Sequence, residues 1–150
     1  MKALRRNVRI RVAGILIKDN RILLVAHKKD GRVYWLLPGG GVNYGESLGE
    51  ALKREFIEEL NIKVDVGQPD FIFDSIEPSG KRHIVNICFN CTYISGDLKL
   101  GKDKRLHSYK FFEDDEIKSI DMFPPINQEI LSRLNGKKSK IYLGKRWLDK

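Results

Sequence analysis

Residues 39–62, GGGVNYGESLGEALKREFIEELNI, constrain the fold more than any other stretch, because they place five glutamates in and beside one predicted helix. Ser47 followed three residues later by Glu50 is a capping-box pattern. It predicts a helix that begins near Leu48 and runs to Leu60. The position of the acidic side chains on that helix decides what the chain must bind.

The predicted helix carries acidic side chains on its buried side. With about 100° per residue, Glu59 falls inside the arc of apolar side chains and Glu55 lies at its edge, with Glu58 nearby. That arc consists of Leu48, Leu52, Phe56 and Leu60. Like charges one turn apart cost roughly 0.2–0.5 kcal/mol per pair, and burial raises that cost. We therefore expect a positive group among these carboxylates.

A divalent cation suits this arrangement better than a side chain of the helix itself. Arg54 falls about 100° away from Glu55, on the outer face, where it is predicted to pair with Glu50. Clustered carboxylate oxygens suit Mg²⁺, with Mn²⁺ as a substitute, and Mg²⁺ shares its coordination with substrate phosphates. The glycines at 39–41 let the backbone approach an ion or a pyrophosphate closely.

Length and composition predict one domain over residues 1–150 that ends in a basic tail at 136–150. The net charge of +8 and the pI near 9.5 permit binding to nucleic acid, membrane phosphates or a small phosphorylated substrate. No apolar run approaches the length of a bilayer span, and the basic start has no cleavage site. We expect a soluble, cytoplasmic protein that does not bind membranes.

The remaining pattern predicts an α/β fold with a mixed sheet and helices packed against it. Strands are expected at 8–17 and 21–28, joined by a turn at Asp19-Asn20, and at 62–66, 71–76, 83–94 and 108–112. A closing helix is predicted from Pro125 through Leu134. Cys88 and Cys91 lie three apart in a predicted strand, so they point to opposite faces and are interpreted as core thiols rather than zinc ligands.

The glutamate segment resembles the signature of the Nudix hydrolases, a glycine, five residues, a glutamate, seven residues and then R-E-U-x-E-E-x-G-U, where U is a bulky apolar residue. Gly40, Glu46 and the run that starts at Arg54 match it. Asn61 stands where the family has glycine. That change is mild, because asparagine is the next residue to tolerate the left-handed conformation that follows a helix.

The resemblance implies an α/β/α sandwich and a MutT-like hydrolase that cleaves a nucleoside diphosphate linked to another moiety. It implies metal ligands at Glu55, Glu58 and Glu59 and at the Gly40 carbonyl. Catalytic roles would fall to Glu55, Glu58 and Arg54, with Arg54 orienting a glutamate. Substrate contacts would fall to Gly39, Gly41 and Glu46, and Glu46 would belong to the same polar network near the helix start. Whether Glu55 is the general base or a ligand of a second metal stays open.

Many relatives also use an acid from a loop before the last helices. The matching stretch here, KDKRLHSYKFF, offers Asp103 and His107 and contains no glutamate. Three alternatives stay open: Asp103 reaches the site, His107 serves instead, or the helix carries the chemistry alone.

Two features indicate different substrates. Asn127, in FPPIN, matches a base-contacting asparagine of hydrolases that act on oxidised purine nucleoside triphosphates, the substrate class we favour. Pro78 lies sixteen residues after Ile62, a spacing associated with ADP-ribose hydrolysis. Nucleotide sugars, dinucleoside polyphosphates and RNA 5′ ends remain alternatives. The aromatic candidates for base stacking are Trp35, Tyr44 and Phe73.

The two ends of the chain suggest further partners. Their basic residues permit nucleic-acid binding, which we do not favour because no pattern of interleaved aromatic residues accompanies them: Arg5, Arg6, Arg9, Arg11, Lys137, Lys138, Lys140, Lys145 and Arg146. The tail also contains apolar side chains that suit packing across a homodimer: Ile141, Tyr142, Trp147 and Leu148.

Overall fold

The computed structural model describes residues 7–138 and 140–147. Eight strands and three helices follow one another along this part of the chain: β1 (Arg9–Lys18), β2 (Arg21–Lys29), β3 (Arg32–Leu36), β4 (Gly39–Gly41), α1 (Leu48–Leu60), β5 (Lys63–Ile76), β6 (His83–Ser95), β7 (Leu106–Phe112), α2 (Asp114–Ile117), α3 (Asn127–Leu134) and β8 (Tyr142–Lys145). The predicted turn between β1 and β2 is confirmed, with φ of 53° at Asp19 and 59° at Asn20.

The strands form a mixed sheet in the order β3-β2-β1-β6-β5-β8, with β4 beside β1 and β7 beside β2. Neighbours β1 and β6 run parallel, as do β5 and β8, and the other pairs are antiparallel. The predicted mixed sheet is therefore confirmed. The short strand β4 pairs with the middle of β1, which holds the three glycines against the centre of the molecule.

Helices cover both faces of this sheet, as the sandwich prediction requires. Alternation along β1 sends Ala13 and Ile15 to one core and Val12 and Leu16 to the other. The first core also contains residues of α2 and α3, and the second is closed by the apolar stripe of α1. Cys88 is buried in the first core, and the free thiol of Cys91 packs against the second, so the prediction of core thiols is confirmed.

Several predicted boundaries were wrong. The closing helix begins at Asn127 rather than Pro125. The preceding segment is held beside β3, where Phe123 N–H donates to the Trp35 carbonyl at 3.1 Å and Trp35 N–H donates to Asp121 at 2.8 Å. The two strands predicted at 62–66 and 71–76 form one strand with register shifts between Val66 and Phe71. The short elements β4, α2 and β8 were not predicted.

The basic tail continues the sheet of its own chain. Within it, β8 lies parallel to β5, and Ile72 N–H donates to the Ile141 carbonyl at 2.7 Å. Leu143 packs against the first core, whereas Ile141 and Tyr142 are exposed. Arg5, Arg6 and Leu148, which the sequence analysis also named, lie outside the described residues.

Candidate functional site

Helix α1 forms as its sequence predicts and presents the glutamates to strand β4. The Ser47 side chain accepts from Glu50 N–H, and the Glu50 carboxylate accepts from Ser47 N–H, so the capping box is complete. At the other end Asn61 adopts the left-handed conformation, with φ of 61°. The departure from glycine at this position therefore leaves the helix end intact.

Arg54 is at the centre of the polar network, contrary to the prediction that it points outward to Glu50. Its guanidinium donates to Glu46 at 2.7 and 2.9 Å, to Glu55 at 2.8 Å and to Glu58 at 3.2 Å. It also donates to the Gly41 carbonyl at 2.9 Å. The prediction from angular positions around the helix was wrong because a long arginine side chain reaches around the helix. Glu50 is also already bound to Ser47 in the capping box. The hydrogen bonds of Arg54 raise its pKa, chiefly through Glu46.

Glu59 lies in the apolar seam between α1 and the sheet, as predicted, with only 8% of its surface exposed. Its carboxylate accepts from Gly39 N–H at 2.8 Å. Burial raises its pKa to about 7, and the nearby positive charge of Arg11 opposes that rise. A buried carboxylate with so little compensation favours a neighbouring cation.

Glu55 rests against the backbone of Gly40. A Cβ placed on Gly40 would lie 2.4 Å from the Glu55 carboxyl carbon, so a larger residue would displace this carboxylate from its observed position. Burial is also the main cause that raises the pKa of Glu55, against the hydrogen bond from Arg54. Glu58 is more exposed than either neighbour, at 58% of its side chain.

Among the described residues, no three acidic, histidine or cysteine side chains are grouped as a metal site in this conformation. Arg54 binds Glu55 and Glu58, while Glu59 binds Gly39 N–H. The donor set nevertheless fits a hard divalent ion, because it offers carboxylate and carbonyl oxygens together with one buried carboxylate of raised pKa. The Glu55 carboxylate fills the space that the absent side chain of Gly40 leaves.

A cleft of about 400 Å³ opens beside β4, and Gly39, Gly40 and Gly41 line it. Within the described ranges, every charged residue of its lining is basic: Arg9, Arg11, Lys81, Arg82 and Arg105. The histidines His27 and His83 also line it. The five basic residues were not predicted to lie together. Arg9 and Arg11 alternate on the predicted first strand, a signal that they share a face, whereas the others come together only through the tertiary fold.

His27 is a second site residue that the sequence analysis missed. It lines the cleft, and burial lowers its pKa from 6.5 to about 4, with Arg105 and Arg11 adding to the effect. Its ring meets Tyr34 edge to face at 5.8 Å. It is therefore neutral near pH 7 and offers a hydrogen-bonding ring among positive charges.

The predicted loop acid lies close to the end of α1. Gly101 N–H donates to the Glu59 carbonyl at 2.9 Å, which fixes the loop that contains Asp103. The Asp103 carboxylate accepts from Arg105, through N–H at 2.9 Å and the guanidinium at 3.0 Å, and these bonds lower its pKa. His107 is exposed on β7 and does not line the cleft. Arg105 lines the cleft, and its guanidinium is bound to Asp103.

The residues predicted to contact substrate differ in whether they line a cleft. The Asn127 amide donates to the carbonyls of Ile117 at 2.8 Å and Ile120 at 3.2 Å, and Asn127 does not line the cleft. Its base contact stays a prediction. Pro78 lines an adjoining cleft of about 470 Å³. The three aromatic residues proposed for stacking do not line either cleft: Phe73 is buried, Trp35 packs against the first core and Tyr44 is fully exposed.

The fold described above occurs in known proteins. Residues 8–134 match the family described as the NUDIX domain. The chain belongs to the Nudix family. A Nudix hydrolase from Nitrosomonas europaea superposes with a TM-score of 0.77 over 90% of this chain and 94% of that one, at 21% identity, which shows the shared fold.

Two curated relatives differ in the substrates their names state. An ADP-ribose pyrophosphatase from Methanocaldococcus jannaschii is 35% identical over 97 residues, covering 64% of this chain and 57% of the relative. An 8-oxo-dGTP diphosphatase from Buchnera aphidicola is 42% identical over 55 residues, 35% of this chain and 42% of the relative. The chain spans about half the length of these curated relatives. In the described part of this Nudix protein, no helix is long and apolar enough to cross a bilayer.

Proposed function

We propose that this chain is a metal-dependent hydrolase that cleaves a pyrophosphate bond in a nucleoside diphosphate linked to another moiety. The observation that carries the proposal is the position of Glu55 and Glu59 against β4, where the basic cleft begins. Basic side chains suit the phosphates of a nucleotide, and clustered carboxylates suit the divalent ion that accompanies them.

Glu55, Glu58, Glu59 and the Gly40 carbonyl would hold Mg²⁺, with Mn²⁺ as a substitute. When bound, the ion supplies concentrated positive charge beside the phosphate oxygens. The raised pKa of Glu59 supports this assignment, because a buried carboxylate without a sufficient counter-charge is stabilised in its ionised form by a cation.

The side chains of α1 have the remaining positioning and proton-transfer roles. Arg54 positions Glu55 and Glu46 through its guanidinium, and Glu46 also accepts from Asn43 N–H at 2.8 Å, which orders the start of the helix. Glu55 would either take the proton from the attacking water at its carboxylate or hold a second metal ion, and its raised pKa favours the first role.

Arg11, Arg82 and Arg105 would bind the phosphates along the cleft. Gly39 and Gly41 let them approach the backbone, and Asp103 orients Arg105.

The favoured substrate is a nucleoside triphosphate, with an oxidised purine base as the specific case. The relative named 8-oxo-dGTP diphosphatase supports this choice. ADP-ribose is the second candidate, because the adjoining cleft beside Pro78 offers room for a second moiety, and another relative is named ADP-ribose pyrophosphatase. A single domain in the cytoplasm and a homodimer formed through the tail stay predictions, as does binding to RNA.

A substrate panel tests the proposal: nucleoside triphosphates, 8-oxo-dGTP, ADP-ribose, a nucleotide sugar and a dinucleoside polyphosphate, each with Mg²⁺, Mn²⁺ or EDTA. Wild type is compared with Glu58→Gln and with Asp65→Asn, which removes an exposed carboxylate from β5. We expect metal-dependent release of a nucleoside monophosphate by wild type and Asp65→Asn and its loss in Glu58→Gln. Equal rates in EDTA, or in Glu58→Gln, would overturn the proposal.

A further inference from the structure

The cleft lining includes a buried polar pair that the proposed chemistry does not use. Asn86 lies on β6, between Arg11 of β1 and Phe73 of β5, and is 1% exposed. Its Nδ2 donates to the buried Ser75 hydroxyl at 3.1 Å. Its Oδ1 has no hydrogen-bond partner among the described residues, and both residues line the cleft. A buried amide oxygen without a partner is rare and requires an explanation, and a donor that enters from the cleft would supply one.

Three aromatic residues in mutual contact line the same cleft. The Trp147 ring meets Phe123 edge to face at 4.9 Å, and Phe123 meets Tyr34 at 5.9 Å. All three side chains line both the main and the adjoining cleft. They therefore offer apolar ring surface in the cleft that the buried acceptor and the basic residues also line.

Trp147 reaches the cleft through the C-terminal segment, which lies beyond the residues 8–134 that match the family. Pairing of β8 with β5 carries the chain to this point. Arg146 then fixes it, because its N–H donates to the Asp74 carbonyl at 2.8 Å and its guanidinium donates to Glu129 at 3.2 Å. The tail thus completes the cleft of its own chain.

A nucleobase fits these three features together, since it has a flat aromatic face, hydrogen-bond donors on its edge and a link to phosphates. We propose that this part of the cleft is the nucleobase subsite, in which Asn86 Oδ1 accepts from an amino or ring N–H group of the base and Trp147 packs on its face. The inference rests on the proposed function, in that it takes the substrate to be a nucleotide. It assigns base recognition to Asn86, whereas the Asn127 amide is bound to the backbone outside the cleft.

The test measures by calorimetry the affinity for ATP, GTP, CTP, UTP and inorganic tripolyphosphate in EDTA. Comparing these affinities separates the contributions of the base edge, the base face and the phosphates. In Trp147→Ala we expect all four nucleotides to bind about tenfold more weakly, because stacking is tolerant of base identity. In Asn86→Leu we expect about a tenfold loss for the preferred nucleotide, with the four affinities becoming nearly equal. Binding of tripolyphosphate should not change in either variant.

Ile141→Ala is the matched control, because it removes an exposed apolar side chain from the same tail without altering the cleft lining or the backbone bond to Ile72. Thermal unfolding reports whether each variant folds. If Asn86→Leu does not fold, Trp147→Ala still decides the test. Unchanged nucleotide affinity in folded Trp147→Ala, or wild-type binding no tighter to nucleotides than to tripolyphosphate, would overturn the inference. Nucleotide binding with the expected pattern but without hydrolysis in Mg²⁺ would overturn the proposed function alone.

Discussion

At the scale of single residues, the contact between Gly40 and Glu55 offers a sharp test of how closely the site is built. In Gly40→Ala the new methyl group would overlap the Glu55 carboxylate. A displacement near 1 Å at a catalytic group can reduce rates about 100-fold, so we expect that loss in kcat, measured with the best substrate of the panel.

Gly49→Ala is the matched control for this substitution, because a Cβ at Gly49 of α1 meets nothing within 4 Å. It should keep full activity and stabilise the helix slightly. Gly40→Ala with wild-type kcat would show that Glu55 does not need its observed position.

Arg54 should act by positioning carboxylates rather than by touching substrate. Arg54→Lys keeps the charge but loses the fork that spans Glu46, Glu55 and the Gly41 carbonyl. We expect kcat to fall about 10- to 100-fold, as for other residues that support metal ligands, with a small change in KM. Steady-state kinetics checks this split, and a rise in KM alone would instead place Arg54 on the substrate.

His27 predicts a pH dependence of stability with a definite sign. Its pKa is about 4 in the folded chain and 6.5 ordinarily, so the unfolded chain binds more protons between these values. The free energy of unfolding should therefore fall as the pH is lowered from about 6.5 to 4, by a contribution that His27→Gln lacks.

Urea unfolding of wild type and His27→Gln at pH 7 and pH 5 measures this contribution. The advantage of wild type over the variant should shrink at pH 5. An equal difference between the two proteins at both pH values would contradict the burial of a neutral imidazole at position 27.

At the scale of elements, α1 depends on its capping box for the orientation of the glutamates. Ser47→Ala removes the acceptor for Glu50 N–H, and such a loss costs about 1 kcal/mol. We expect the free energy of unfolding, measured in urea, to fall by that amount. A change below about 0.3 kcal/mol would mean that tertiary packing alone holds the first turn.

The elements that the sequence predicted well are those with strong local signals. Helix α1 begins and ends at the predicted residues because its cap, apolar stripe and Asn61 all act locally. Strand β4 and strand β8 were missed, because a run of glycines and a basic tail have no strand pattern and form strands only against β1 and β5. Pro125 failed as a helix start because β3 holds the preceding residues by backbone bonds.

The same distinction applies to the site. Spacing along one helix was enough to predict the buried position of Glu59 and the partial burial of Glu55. The angular positions mispredicted Glu50 as the partner of Arg54, since they describe Cα directions and ignore side-chain reach, whereas the family resemblance correctly implied that Arg54 orients a glutamate. The cleft residues Arg82, Arg105 and Trp147 come from three distant segments, so only the fold reveals them together.

At the scale of the whole molecule, the central claim is that the α1 carboxylates and β4 together bind a divalent ion at the mouth of a basic cleft. Calorimetric titration of the metal-free protein with Mn²⁺ tests it most directly, comparing wild type, Glu58→Gln and the surface control Asp65→Asn. We expect saturable binding by wild type and Asp65→Asn, and binding weakened at least tenfold in Glu58→Gln. No uptake by wild type, or equal uptake by all three proteins, would contradict it.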